Sequence, residues 1–293
     1  MSRLAFLLPA ALRTMPPLPP LARACLAFIA LLAVAVIVGP WLLGIDPHRP
    51  DWDALSQPPS AAHWFGTDAI GRDVLARVLA GGRLSLAIGL LASLVALALG
   101  LGWGALAGYA GGAWERWMVR ALDVLSALPF LLIVILLLTL FERSLWLLLA
   151  AIGGYVWIDL ARVARAEAAR LREAPFVLAA RAAGASGAQV LRWHVLPNLL
   201  PLGLVYLGLI LPQAILVEGF LGFLGLGVDE PSASWGTLLA EGAQELDGAP
   251  WTLGFPAAVF ALTLAAFQFL GDGLREWLDP RRAHAADATP EAA

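Results

Sequence analysis

The sequence predicts an all-α membrane protein with six transmembrane helices and both termini in the cytoplasm. Hydrophobic residues make up 60% of its 293 residues, against about 45–50% in soluble domains. Charged residues make up only 14%, whereas soluble domains contain about 25%. A soluble chain of this length lacks the polar surface to cover so much apolar material. Most of the chain is therefore expected to lie in lipid.

Six apolar segments approach or exceed the length of about 20 residues that a membrane-spanning helix needs. Only Glu142, Arg143 and Ser144 separate the third from the fourth, which predicts a tight hairpin. The first segment is longer than the apolar stretch of about 7–15 residues in a signal peptide, so it is interpreted as an anchor. The segments are 24–43, 84–110, 119–141, 145–160, 199–225 and 251–274.

The distribution of arginine predicts the orientation. Fourteen of the 19 arginines fall in the N-terminal tail, the loop after the second segment, the loop 161–198 and the C-terminal end. Positively charged loops stay in the cytoplasm. The predicted organisation is a multi-pass membrane protein. Its parts are a cytoplasmic tail (1–23), the first helix (24–43), an extracytoplasmic loop (44–83), a five-helix core (84–276) that includes the inside loop 161–198, and a cytoplasmic tail (277–293).

The outside loop ends in a pattern typical of a short amphipathic helix. Thr67 or Asp68 is suited to cap it, and Gly81 with Gly82 is expected to end it. Its apolar face predicts contact with the membrane surface or with the rim of a partner. A solvated connector is an equally simple interpretation.

The inside loop contains six arginines and two Ala-rich segments around Gly184 and Gly187. This pattern predicts a helix, a glycine turn and a second helix, with Pro197 near the entry to the fifth span. A long, ordered helical loop is rarely only a connector. Its small residues form a knuckle suited to a groove on a partner. The alternative is a loop that merely keeps positive charge inside.

Ionisable residues within the spans are few, and such residues are functional candidates by default. Asp123 and Asp159 lie near the ends of their spans, where water reaches them. Glu218 lies deeper, toward the outer half of the fifth span. A structural role for Glu218 is at least as plausible as a position on a substrate path.

The residue inventory excludes several kinds of site. All 19 basic residues are arginine, so the chain has no P-loop lysine and no Schiff-base lysine. A single cysteine, Cys25, excludes an internal disulfide and a cysteine-based metal site, and no metal or catalytic site is predicted.

Two rival classes can be weighed on the same residues. The stretch Gly184–Gly187 matches a GxSG nucleophile motif of intramembrane serine proteases, but none of the four histidines lies within a span to act as its base. A secondary transporter would favour inverted repeats and mid-membrane polar groups, and neither is evident.

Four stretches of the chain carry a family resemblance. They are GTDAIGRDVLARVLAGGRLSLAIG, the inside loop, EGFLGFLGLGVDEPSASWGTLLAEG and FLGDGLREWLDPR. In this order and spacing, the chain resembles the membrane permease subunits of bacterial ATP-binding-cassette importers of the dipeptide, oligopeptide and nickel group. The first stretch is similar to that group's outside motif, here Gly66, Thr67, Asp68, Gly71, Arg72 and Asp73.

The inside loop is similar to the coupling loop of these importers, whose motif reads EAA, then Gly, then Leu-Pro. The literal EAA at Glu167–Ala169 places the motif's glycine on Glu173, so it is the wrong register. In the matching register Leu178 replaces the motif's glutamate and His194 replaces a hydrophobic residue. The predicted coupling residues are Leu178, Ala179, Ala180, Arg181, Gly184, Ala185, Ser186, Gly187, Leu196 and Pro197.

The resemblance implies a multi-pass transport subunit of the bacterial inner membrane that is not itself an enzyme. Its implied partners are a second, similar permease, two cytoplasmic ATPases and an extracytoplasmic substrate-binding protein. ATP and Mg²⁺ are expected on the ATPases, no cofactor on this chain, and no nucleic-acid partner. The implied cargo is a peptide, with nickel complexes or glutathione as the alternative.

Overall fold

The computed structural model describes residues 18–141, 144–228 and 231–278. Within these ranges the regular structure is helical, and the bridge Thr67–Asp73 is an isolated extended pairing. The predicted all-α class is therefore confirmed. The helices are α1 (Pro20–Leu43), α2 (Val74–Ala110), α3 (Gly112–Ala127), α4 (Phe130–Leu140), α5 (Leu145–Val156), α6 (Ile158–Arg172), α7 (Pro175–Ala182), α8 (Gly187–Val190), α9 (Leu196–Phe223), α10 (Trp235–Gln244) and α11 (Trp251–Leu278), with a π-helical turn at Leu191–Val195.

Four helical runs have the length and apolar composition of a membrane span. They are α1, α2, the run 187–223 that contains α9, and most of α11. Two bent pairs, α3 with α4 and α5 with α6, raise the number to six if each pair crosses the membrane once. These four to six spans agree with the six predicted segments. The predicted tails lie largely outside the described residues, as do Glu142 and Arg143 of the predicted hairpin.

The third and fourth predicted spans are broken rather than straight. Pro129 interrupts the segment 119–141, because proline disfavours the helical conformation of the residue before it. Leu128 accordingly has the extended angles φ −75° and ψ 136°. The fourth span bends by 47° between α5 and α6. At this bend the indole of Trp157 donates a hydrogen bond to the carbonyl of Gly154, at 2.8 Å.

The outside loop does not contain the predicted separate amphipathic helix. The helix that follows the loop is α2 itself, which begins at Val74. Its N-cap is Asp73, whose carboxylate accepts from the backbone N–H of Ala76 at 2.9 Å. Thr67 and Asp68 therefore do not cap a helix. Thr67 instead donates its hydroxyl to the carbonyl of Ala54. Both side chains are buried in a folded loop. Each makes a hydrogen bond there that the sequence did not predict.

Gly81 and Gly82 do not end a helix either, since α2 continues through both of them. They allow close packing instead. A Cβ on Gly82 would lie 2.7 Å from the ring of Trp235, and one on Gly81 would lie 3.2 Å from the side chain of Leu238. The glycines thus make room for α10 against α2.

A seam of small residues joins α2 to α6. Gly104 and Gly108 lie one helical turn apart on α2, and Ala161, Ala164 and Ala168 of α6 are fully buried against them. A Cβ on Gly104 would lie 2.5 Å from the Cβ of Ala164 and 2.7 Å from the carbonyl oxygen of Ala161. Small residues at such spacing let membrane helices approach backbone to backbone.

Replacing Gly104 by alanine is expected to destabilise the protein, since a methyl group there must displace α6. Overpacking of this kind costs typically ~1–3 kcal/mol. Gly102→Ala is the matched control on the same helix, because a Cβ on Gly102 meets nothing within 4 Å. The glycine-to-alanine change by itself favours a helix by about 1 kcal/mol. The thermal unfolding temperature of the purified protein should fall for Gly104→Ala and not for Gly102→Ala, and equal temperatures would contradict the seam.

Candidate functional site

The exposed turn between α7 and α8 has the geometry of a rigid helix end. Gly184 adopts a left-handed φ of 89°. The N–H of Ala185 donates to the carbonyl of Ala180 at 3.0 Å, and the N–H of Gly184 donates to that of Arg181 at 2.9 Å. These two bonds form a Schellman motif, in which glycine is the residue that accepts positive φ without strain. The predicted helix, glycine turn and helix are confirmed.

The second limb of the turn is fixed by its own cap. The hydroxyl of Ser186 accepts from the N–H of Gln189, and the side chain of Gln189 accepts from the N–H of Ser186 at 2.8 Å. Val177 and Val190 are fully buried beneath the two limbs. Backbone bonds and two apolar anchors therefore hold the turn, while its tip faces outward.

The tip presents small, exposed residues. Leu178 is 48% exposed, and a Cβ on Gly184 would meet no atom within 4 Å. Ala180 and Ala185 are half-buried, which leaves a narrow ridge rather than a flat face. The other predicted coupling residues on this ridge, Ala179, Arg181, Ser186 and Gly187, are exposed.

The ridge is tied to the end of α2 through Tyr109, a contact that the sequence did not predict. The guanidinium of Arg181 lies 4.9 Å from the centroid of the Tyr109 ring, and its Nε donates to the Tyr109 hydroxyl at 3.3 Å. A Cβ on Gly187 would touch the same ring at 3.6 Å. Any force on the ridge is thus applied directly to α2.

Leu196 and Pro197 lie where the ridge joins α9. The N–H of Leu196 donates to the carbonyl of Leu191, the five-residue spacing of a π-helix. A π-helical turn keeps the helix continuous at a place where Pro197 has no N–H to offer. The helical run therefore continues from Gly187 to Phe223, and the second helix of the turn and α9 are parts of one element.

Charged residues of the predicted outside motif, together with Arg77 of α2, form an ionic cluster with α10. Arg77 is 5% exposed, and its guanidinium contacts Asp68 at 3.1 Å and Glu241 at 3.2 Å. Arg72 contacts Asp68 at 2.7 Å. Buried charges need such partners, because an unpaired one is strongly destabilising. The cluster therefore locks the loop to α10.

The rest of the motif shapes the loop backbone. Gly66 and Gly71 have left-handed φ values of 74° and 82°, and a Cβ on Gly71 would overlap the backbone of Asp51. The carbonyl of Thr67 accepts from the indole of Trp251 at 3.0 Å. The loop thus contacts α11 as well as α10.

Glu245 extends the ionic cluster, and the charged form of its carboxyl is disfavoured there. The pKa of its carboxyl is raised above the ordinary value, chiefly because the group is buried. The neighbouring carboxylates of Asp68 and Glu241 also raise this pKa, whereas the hydrogen bond from the N–H of Ala69 lowers it. This arrangement could not be predicted from the sequence, since Glu245 and Asp68 belong to segments far apart in the chain.

Two of the three predicted polar residues of the spans lie at the surface of the chain. Asp123 and Asp159 are exposed, and Arg162 lies between them, 3.4 Å from the first and 3.6 Å from the second. The arginine belongs to α6, so it ties α3 to the bend between α5 and α6.

Glu218 is fully buried between α9, α10 and α2. The hydroxyls of Ser85 and Ser234 lie beside its carboxyl, but neither meets it with good hydrogen-bond geometry. The oxygen of Ser85 already accepts from the N–H of Trp235 at 3.1 Å, so its O–H is free to turn toward Glu218. Glu218 thus faces the inside of the protein.

A groove of about 650 Å³ runs between α6, α9 and α11. Of the three predicted polar span residues, only Asp159 lines it. Gln213, Gln268 and Arg275 line it too, and the sequence did not single them out, because isolated polar residues on different segments show no common pattern.

Comparison with known proteins agrees with these features. Residues 100–284 match the family model described as binding-protein-dependent transport system inner membrane component. The chain is 43% identical over 262 residues to the oligopeptide transport system permease protein OppC of Haemophilus influenzae, covering 89% of this chain and 84% of that protein. It is 40% identical over 265 residues to the dipeptide transport system permease protein DppC of Bacillus subtilis, covering 89% and 82%.

The fold also has a solved counterpart. A chain of the inward-facing MetNI methionine ABC transporter superposes with a TM-score of 0.54 at 20% identity, covering 69% of this chain and 97% of that one. At this identity the likeness concerns the fold alone. Together, the family match over most of the helical core and the two permease relatives show that this chain is a multi-pass membrane protein of the binding-protein-dependent transport system inner membrane component family.

Proposed function

We propose that the chain is a permease subunit of an ATP-driven importer that takes up peptides. The observation that carries this proposal is the rigid, exposed ridge 178–187, from whose last residue the helix runs on into α9. A ridge of small residues fits a groove on a partner and transmits its movement to the spans. The peptide cargo is supported by relatives that are named for oligopeptide and dipeptide transport.

The proposed assembly contains a second, similar permease, two cytoplasmic ATPases that bind ATP and Mg²⁺, and an extracytoplasmic substrate-binding protein. ATP-driven closure of the ATPases moves the two ridges and switches the path between inward-facing and outward-facing states. Nucleotide and binding protein each bias this two-state equilibrium. The chain contains no lysine for a P-loop, so the ATPase activity belongs to the partners.

In the proposed orientation the ridge and both termini are in the cytoplasm of a bacterial cell, and the ionic cluster around Arg77 faces the other side of the inner membrane. The excess of arginine in the tails and in the loop 161–198 supports it. So does the acidic loop before α11, which contains no arginine.

The rival functions have less support. Ser186, the serine of the GxSG match, caps α8 with its hydroxyl, an ordinary structural role that gives no sign of an activated nucleophile. A nickel complex or glutathione remains the alternative cargo of the same machinery, but the names of the relatives above point to peptides.

Truncation fusions test the orientation. A reporter fused after Gly187 is expected to report the cytoplasm, because that loop carries six arginines. A reporter fused after Gly242 is expected to report the extracytoplasmic side. The measurement is alkaline phosphatase and green fluorescent protein activity at each site. The opposite signal at either site would contradict the orientation.

Gly184→Val tests the coupling ridge. A bulky side chain in a packed contact costs typically ~1–3 kcal/mol, and ~3 kcal/mol corresponds to roughly hundredfold weaker binding. The substitution should abolish peptide uptake and release the ATPases, while the second permease is retained. Co-purification of both partners and uptake of a labelled peptide measure these effects. Leu178→Glu, which restores the family's residue, should be tolerated.

Gly44→Val is the matched control for backbone strain. Gly44 also has positive φ, at 62°, and also has no atom within 4 Å of an added Cβ, but it ends α1 at the opposite side of the membrane. It should retain the ATPases. If Gly184→Val keeps normal uptake and full ATPase retention, the ridge is only a connector.

Glu218→Gln tests whether a span carboxylate contributes a proton-driven step. Glutamine keeps the size of the side chain beside Ser85 and Ser234 but cannot carry a proton, so uptake should remain ATP-dependent and insensitive to an uncoupler at constant ATP. Glu218→Leu removes the carboxyl altogether while Ser85 and Ser234 keep the backbone N–H groups of Trp235 and Thr237 as partners, so it should also leave the uncoupler response unchanged. Loss of wild-type uptake with the uncoupler at constant ATP would contradict the ATP-driven mechanism.

A further inference from the structure

Polar side chains from three separate spans meet in the groove between α6, α9 and α11. Asp159 lies at the start of α6, Gln213 in the middle of α9 and Gln268 in the inner half of α11, and all three line the groove. All are exposed on the isolated chain, Asp159 with 80% of its side chain. Arg275 adds a positive charge at the same groove.

The amides of Gln213 and Gln268 lie within spans, where a polar group that faces hydrocarbon without a hydrogen-bond partner is costly. Asp159 and Arg275 lie nearer the ends of their spans, and charged groups of a span face protein or water. Other exposed positions within the spans of α9 and α11 are apolar, as at Leu204 and Leu262, and such surface is compatible with lipid. The groove is therefore the polar face of these helices.

The polar groups of the groove are only weakly engaged within the chain. Gln213 makes no side-chain hydrogen bond to any residue that the structure describes. The amide of Gln268 lies 3.4 Å from Asp272, at the limit of a hydrogen bond. The contact between Asp159 and Arg162 is 3.6 Å. Donors and acceptors are thus left for a ligand.

The groove is built by a close helix crossing. A Cβ on Gly208 of α9 would lie 3.3 Å from the Cα of Gly271 of α11, and one on Gly271 would lie 2.8 Å from the carbonyl oxygen of Gly208. With the backbones this close, the larger residues on either side diverge and leave the open space. Its volume of about 650 Å³ is within the usual range of ligand sites, about 300–1,000 Å³.

We propose that this groove is the surface on which the subunit binds the peptide during passage. This inference rests on the proposed function. The amides of Gln213 and Gln268 pair with peptide backbone groups, which every peptide carries. Asp159 pairs with the α-ammonium group and Arg275 with the carboxylate. Apolar walls, among them Leu216 and Leu264, accept side chains without demanding a particular one.

The charge pattern favours a peptide over other occupants. A zwitterionic peptide carries both a positive and a negative end, and the groove contains one acidic and one basic side chain next to two amides. Glu218 takes no part, because it lies away from the groove. Packing against the second permease is the other possible use of this face, and the test separates the two.

A cysteine in the groove reports its occupancy. Cys25 is replaced by serine, and Leu216→Cys places a thiol on the groove while leaving the four polar residues intact. Leu204→Cys is the control on the same helix outside the groove. In the complete importer with its ATPases in lipid nanodiscs, a charged thiol reagent should label Leu216→Cys and not Leu204→Cys. Trialanine at about ten times its dissociation constant should slow labelling roughly tenfold, and alanine should not.

Asp159→Asn then tests the charge assignment. Loss of one charge-assisted contact should weaken protection by trialanine about tenfold, while protection by N-acetyl-trialanine should not change, since it lacks the ammonium group. No labelling of Leu216→Cys, labelling that trialanine does not slow, or an equal effect of Asp159→Asn on both peptides would each overturn the inference. Loss of the second permease in Gln213→Leu or Gln268→Leu would show a subunit interface instead, and would also overturn it.

Uptake of trialanine by cells that carry the wild-type importer tests the proposed function separately. If the wild type takes up trialanine but the groove thiol is not protected, the groove inference alone is wrong. If the wild type takes up no peptide, the peptide function is wrong and the groove inference is overturned with it.

Discussion

The backbone contact between α2 and α6 is the constraint on which the rest of the structure depends. Gly104 and Gly108 meet Ala164 and Ala168 with no room for a methyl group on either glycine. In lipid, apolar helices gain little from burying apolar surface against each other, so close van der Waals packing of small residues replaces that driving force. Because α6 continues into the loop that carries the ridge, this seam also sets the position of the ridge.

Close packing at a glycine recurs between other helices from one membrane face to the other. Gly82 receives the ring of Trp235, and a Cβ on Gly236 would overlap the backbone of Gly219 on α9. Each contact joins α10 to a long span. Glu241 of the ionic cluster belongs to α10, so a displacement of the run 187–223 reaches that cluster through packed backbones. The ridge contacts α2 through the side chains of Arg181 and Tyr109.

Electrostatics divides the molecule into three regions with different physical requirements. Around α10, the buried guanidinium of Arg77 is paired with Asp68 and Glu241, which fixes the loop before α2. In the interior, Glu218 is surrounded by serine hydroxyls. Between α6, α9 and α11, by contrast, polar groups are exposed and weakly paired. The first arrangement stabilises the structure and the second is enclosed within it, whereas the third is suited to a ligand that arrives and leaves.

The sequence by itself determined the features that depend on one segment at a time. Hydropathy located the spans, because each needs about 20 apolar residues whatever surrounds it, and the Gly184 turn followed from local backbone chemistry. Only the tertiary structure decided which glycines end a helix and which make room for another, as at Gly81 and Gly82. It also decided that Asp159, Gln213 and Gln268 share one groove, because their meeting depends on how helices far apart in the chain cross.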